Sequence, residues 1–128
     1  MTLTSQQRFD DQNYQFRNQL EELQEAQRDN KKDQQFIEQL QERFYALQQQ
    51  EQRIYQESLN EVESEERAFF EERQDDSFHL SRQALQEFEE EQEQLAQDRK
   101  TLLEKEDSVR SAHRNFLKTE EKEMSNGT

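Results

Sequence analysis

The sequence predicts an all-α fold: a long antiparallel helical hairpin of coiled-coil character, with dimerisation into a four-helix bundle as its natural extension. Three observations carry this. Phe88, Leu95, Leu102, Val109 and Phe116 fall seven residues apart in one unbroken series. An α-helix returns every seventh residue to nearly the same face, so the series draws one narrow seam along about thirty residues. A matching seam runs through the first half as Phe9, Phe16, Leu23, polar Asn30, Ile37 and Phe44. The third observation is composition. Glu, Gln, Leu, Arg and Lys dominate, with no Pro and one Gly. Their unbranched stems lose little rotamer freedom in a helix.

The 128 residues are 38% charged and only 28% hydrophobic, against about half apolar in an ordinary globular domain. A wide, multilayer core is therefore excluded. Low hydrophobicity with a net charge of −14 is also the composition of a disordered chain. Periodicity decides between the two readings, because a seam between paired helices needs few apolar residues as long as they are regularly spaced. The length fits one domain.

The first helix is expected to start at Thr4 or Ser5, whose hydroxyl can accept a bond from an otherwise orphaned N–H. No Pro or Gly interrupts the chain from there to Arg73. The apolar pattern lapses across Gln27–Gln35, either as a polar layer inside a continuous helix, the preferred reading, or as a loose joint. It resumes as Ile37, Leu40, Phe44, Leu47 and Ile54, then continues on a shifted stripe as Tyr55, Leu59, Val62 and Phe69. The best local turn signal is Gln74-Asp75-Asp76-Ser77, since Asp and Ser favour turns and N-caps. A bend at 74–77 gives a second helix over 78–122, about 65 Å long, and leaves 5–27 overhanging. The alternative is a bend at 60–65, which pairs Phe9 with Phe116, Phe16 with Val109, Leu23 with Leu102 and Ile37 with Phe88. Either way, residues 5–122 form a single hairpin, with frayed tails at 1–4 and 123–128.

Charge is unevenly placed. Residues 1–59 carry 11 acids and 7 bases, 60–97 carry 13 and 3, and 98–128 carry 7 and 7. An acidic surface repels nucleic acid and anionic membrane, so neither is expected as a partner. The longest apolar run, Ala68-Phe69-Phe70, is too short to insert in a membrane. Met1-Thr2-Leu3-Thr4 leads into a polar stretch rather than the apolar core of a signal peptide. A cytoplasmic protein is expected, leaving the cell only if co-exported with a client.

No catalysis is expected. Without Cys there is no thiolate nucleophile, thiolate metal site or disulfide. His79 and His113 are the only histidines, and neither has a second at helical spacing. No Gly-rich phosphate loop or serine elbow occurs. The acidic stretch Glu87–Glu93 lacks the alternating oxygen ligands around a central Gly of a calcium loop, and it reads as a solvated face. No metal or cofactor is expected.

Two features remain as candidate binding elements. Arg110, Arg114, Lys118 and Lys122 form a basic stripe that either complements the negative end of the helix dipole or docks an acidic surface. Phe69, Phe70 and Phe78 either plug the turn or anchor a partner. With the later bend, Phe9, Phe16, Leu20 and Leu23 would lack an internal partner and would mark a binding or dimer surface.

From Phe69 onward the chain resembles a family of small helical proteins found beside LXG toxins of Gram-positive type VII secretion. The residues that carry the likeness are Arg67-Ala-Phe-Phe-Glu71, Gln83-Ala-Leu85, the Glu-rich stretch Glu87–Glu93, and Leu102-Leu-Glu-Lys-Glu-Asp107. It covers residues 55–118, and the chain looks like the second, acidic member of the usual pair. The resemblance implies a hairpin similar to the WXG-type secretion proteins. It implies a targeting chaperone that binds the helical LXG domain of a toxin together with a sister small helical protein. The chain departs from the WXG type in having no Trp and no Gly at the bend, so it is not expected to replace a WXG protein in its own role.

On that resemblance, Phe9, Phe16, Leu20, Leu23, Phe69, Phe70, Phe88, Leu95, Leu102, Val109 and Phe116 are the candidate partner-binding residues. Export signals in this class are similar to an aromatic followed four residues later by an acid, a spacing that Phe116 and Glu120 match. With nine Phe, three Tyr and 31 acids, about three such pairs arise by chance. The alternative functions are a self-associating coiled-coil scaffold and an export chaperone of the flagellar or type III kind.

Overall fold

The computed structural model describes residues 4–126, with side chains to residue 123. Two helices, α1 (Ser5–Glu61) and α2 (Ser64–Asn126), pack against each other as an antiparallel hairpin. No strand occurs among the described residues.

The start of α1 is fixed by a reciprocal cap. The Gln7 N–H donates to Thr4 Oγ1 at 3.2 Å, while the Thr4 N–H donates to Gln7 Oε1 at 3.0 Å. Two orphaned donors are thereby satisfied by one Thr-x-x-Gln sequence. From there α1 runs unbroken through the lapse at 27–35, and Asn30 is buried within it.

The chain reverses through Val62 and Glu63, inside the 60–65 window and well before the preferred 74–77. Val62 N–H closes α1 on the Ser58 carbonyl, and the Glu63 carbonyl accepts the first bonds of α2 from Glu66 and Arg67. No non-Gly residue has a positive φ among those described, so no glycine is needed. No Pro or Gly stands at the break. Glu65 and Glu66 lie in the first turn of α2, where carboxylates meet the positive end of the helix dipole.

The expected bend at Gln74-Asp75-Asp76-Ser77 lies inside α2. Its turn-forming serine is used across the hairpin instead, with Ser77 Oγ donating to Glu51 Oε1 at 2.8 Å. At the far end α2 continues through residues 123–126, which were expected to fray. Residues 1–3 and 127–128 lie outside the described residues.

The hairpin divides into two compact units, Met1–Lys31 with Ala96–Thr128, and Lys32–Leu95. In the first, Phe9 stacks on Phe116 with ring centroids 5.3 Å apart, and Phe16 lies against both His113 (5.1 Å) and Phe116 (5.5 Å). In the second, Phe44 meets Phe88 at 5.7 Å. Phe88 thus faces Phe44, one heptad further along α1 than Ile37, the partner expected for it.

Candidate interaction surface

The seam between the helices alternates apolar and polar positions, and the polar ones are as regular as the apolar ones. On α1 the half-buried or buried series Phe9, Phe16, Leu23, Asn30, Ile37, Phe44 is interleaved with a second: Asn13, Leu20, Gln27, Gln34, Gln41, Gln48. On α2 the series Phe88, Leu95, Leu102, Val109, Phe116 is interleaved with Gln92, Glu106, His113 and Glu120. Both series advance by seven, so both face the partner helix, apart from Arg99, which is exposed where the second series of α2 would place it.

The polar positions bond across the hairpin. In the first unit Gln27 Nε2 donates to Glu106 Oε2, and His113 Nε2 donates to Asn13 Oδ1 at 2.7 Å. In the second, Gln92 Nε2 donates to Gln41 Oε1 at 2.7 Å, and Gln34 Nε2 reaches the Leu95 carbonyl at 3.5 Å. Arg110 adds two bonds to the other oxygen of Glu106, at 3.0 and 2.9 Å. The Gln27 amide first, and Arg110 second, hold the Glu106 carboxyl below the usual carboxylate range, because each bond favours its charged form. No buried side-chain polar atom among the described residues lacks a partner.

This arrangement moves several expected residues. Phe9, Phe16, Leu20 and Leu23 do not overhang. Phe9 and Phe16 stack on α2 residues. Leu20 lines a groove with Asp107, Arg110 and His113, and Leu23 lines another with Thr101 and Val109. Phe88, Leu102, Val109 and Phe116 are half-buried in the seam, and Leu95 is the one buried apolar residue among those described. Glu120, the acid of the proposed export pair, is half-buried too.

The aromatics after the bend separate. Phe70 is half-buried, while Phe69 is exposed, meeting Phe70 edge-on at 5.5 Å and carrying the Arg73 guanidinium 5.0 Å above its ring.

The residues that sequence reasoning misplaced are Leu47 and Ile54. Both were expected in the seam, yet they are 64% and 56% exposed, as are Phe36 (58%), Phe69 (53%) and Leu80 (66%). Gln48 faces α2 in place of Leu47, and Tyr55 in place of Ile54. The signal that could have found this is the strict heptad Gln27, Gln34, Gln41, Gln48, which a search for apolar periodicity passes over. After Gln48 the seam continues at Gln52, Tyr55, Leu59 and Val62. Two successive steps of four, Phe44 to Gln48 to Gln52, shift its phase as a stutter does.

In the first unit Tyr14, Leu103 and Leu117 are the exposed large apolar residues. Among the described residues no three His, Asp or Glu side chains converge as a metal site would require. No helix among them is long and apolar enough to cross a membrane. No family model, curated protein or solved structure matches the chain.

Proposed function

We propose that this chain is a non-catalytic helical adaptor, which binds the helical LXG domain of a type VII secreted toxin beside a sister small helical protein and promotes the toxin's export. The observation that carries the adaptor reading is the placement of Leu47 and Ile54 in solvent while Gln41 and Gln48 sit between the helices. A hairpin meant to stand alone would gain stability by exchanging those positions, since each large aliphatic moved from water to the interior contributes on the order of 1.5–3 kcal/mol. Large apolar side chains held outside suit a third helix that completes a bundle. The resemblance over residues 55–118 supplies the client class.

In this reading the seam residues Phe88, Leu95, Leu102, Val109 and Phe116 set the shape of the platform, and the exposed residues make the contact. The stacking of Phe116 on Phe9 and Phe16 supports a structural role for it over that of a docking aromatic paired with Glu120.

The test is size-exclusion chromatography with light scattering on the purified chain, alone and mixed with the helical toxin domain encoded beside it. A stable mixed complex is expected. A tight homodimer that ignores the neighbour would replace this proposal with the self-associating scaffold.

A further inference from the structure

Within the unit Lys32–Leu95 five of the seven exposed large apolar residues share a positional rule, while Tyr45 and Phe78 stand one residue after the seam positions Phe44 and Ser77 and turn to the opposite side. Phe36, Leu47 and Ile54 each stand one residue before a seam position, namely Ile37, Gln48 and Tyr55. Phe69 and Leu80 likewise stand one residue before Phe70 and Ser81. One residue is about 100° of rotation, so all five are turned from the seam by the same angle in the same sense. In an antiparallel pair, equal senses of rotation bring both helices' residues to the same side. The five therefore form one apolar face of this unit, three from α1 and two from α2. From Phe36 to Ile54 it extends about 27 Å, the length of an 18-residue helix.

Charge identifies the occupant. The helical neighbours of Ile54 include Glu51, Glu57 and Glu61, and those of Leu80 include Asp76 and Glu87. All five acids are exposed. Arg43 and Arg73 are the nearest bases beside Leu47 and Phe69, and the Arg73 guanidinium is already over the Phe69 ring. The face is thus an apolar strip with predominantly acidic borders. A second copy docking on it would bring acid against acid, which disfavours that occupant.

We propose that this face docks a basic amphipathic helix of a partner protein. Leucine- or phenylalanine-class residues of that helix would cover Phe36, Leu47, Ile54, Phe69 and Leu80, and Lys or Arg on its flanks would meet Glu51, Glu57, Glu61, Asp76 and Glu87. This deepens the adaptor reading and rests on it for the existence of a helical client. The location of the face and the sign of its borders rest on the structure alone.

The experiment uses the full chain and two fluorescein-labelled 18-residue helical peptides with the same leucine stripe, one flanked by Lys and one by Glu, read by fluorescence anisotropy. The Lys-flanked peptide is expected to bind at least ~10-fold more tightly than the Glu-flanked one, with affinity falling as salt rises. The double variant Leu47→Ser/Leu80→Ser should weaken it by ~10-fold or more with an unchanged helical circular dichroism spectrum, since both side chains are already in water. Equal binding of the two peptides, or binding indifferent to the double variant, overturns the proposal. So does a homodimer of the native chain that the double variant dissociates, because the occupant is then a second copy. The toxin domain separates this from the adaptor reading. A domain that binds the native chain and the double variant equally overturns the face and leaves the adaptor standing. A domain that fails to bind while the Lys-flanked peptide binds removes the client and keeps the face.

Discussion

Phe9 and Phe116 stack nearly parallel, at 19° with centroids 5.3 Å apart, and so join the first helical turns of the chain to its last. That contact fixes the bend, because a stretch beginning at Ser5 can reach residue 116 only if the chain reverses near its midpoint. It also makes the aromatic end of the seam a structural element. Phe116→Ala should destabilise the chain by about 2 kcal/mol, below the 3–5 of a fully buried Phe because the ring is half-exposed. Urea unfolding followed by circular dichroism measures it.

Phe44 and Phe88 give a direct reading of the pairing register. The native chain has no Cys, so pairs can be introduced without background. Phe44→Cys/Phe88→Cys should form an intramolecular disulfide on mild oxidation, whereas Ile37→Cys/Phe88→Cys should remain reduced. Thiol titration and a non-reducing gel distinguish the two, and the opposite result would place the register one heptad away.

Glu106 links the seam to pH. Bonds from Gln27 and Arg110 lower its carboxyl in the folded chain. Its contribution to stability is therefore present above the unfolded carboxylate value and lost as pH falls through the lower folded value. Glu106→Gln should be less stable than the native chain at pH 7, and the gap between their urea midpoints should close as pH falls below the carboxylate range. A gap that widens on acidification would contradict the assigned bonds.

Glu63 caps α2 with its carbonyl but has a longer side chain than the best N-cap residues. Glu63→Asp should raise stability by about 0.5–1 kcal/mol, visible as a higher thermal midpoint. Ser77→Ala should cost only about 0.5–1 kcal/mol, because an exposed hydrogen bond is lost and no turn is disturbed.

Asn30 is buried on the apolar series of α1. A polar residue at such a position holds register and partner number at a cost in stability. Asn30→Leu should raise the thermal midpoint while broadening the distribution of oligomers seen by light scattering.

The fold class was legible because Phe88–Phe116 and Phe9–Phe44 repeat every seven residues, and repetition survives an overall polar composition. The continuity of α1 across Gln27–Gln35 was legible for the same reason, since Asn30 occupies the seam position that an apolar residue would have taken. The bend was not. A breaker was sought at Gln74–Ser77, whereas the reversal falls at Val62 and Glu63, where the local signal is the placement of Glu65 and Glu66 in the first turn of the new helix. Such a placement is worth only about 0.3–1 kcal/mol per charge, too weak to stand out in a chain rich in Glu. The apolar face was misread because hydropathy assigned Leu47 and Ile54 to the inside. In their place Gln48 and Tyr55 face α2, continuing the heptad of Gln27, Gln34 and Gln41, a repeat with no hydropathic signature.

The amide seam also means that added salt acts on the two surfaces differently. Gln92 donates to Gln41, Gln34 to the Leu95 carbonyl and His113 to Asn13, and all three acceptors are uncharged oxygens, whose bonds ions in solution hardly weaken. Salt also quiets the self-repulsion of a chain carrying −14. The hairpin is thus built to tighten in brine, the condition in which a charge-selected guest would leave it.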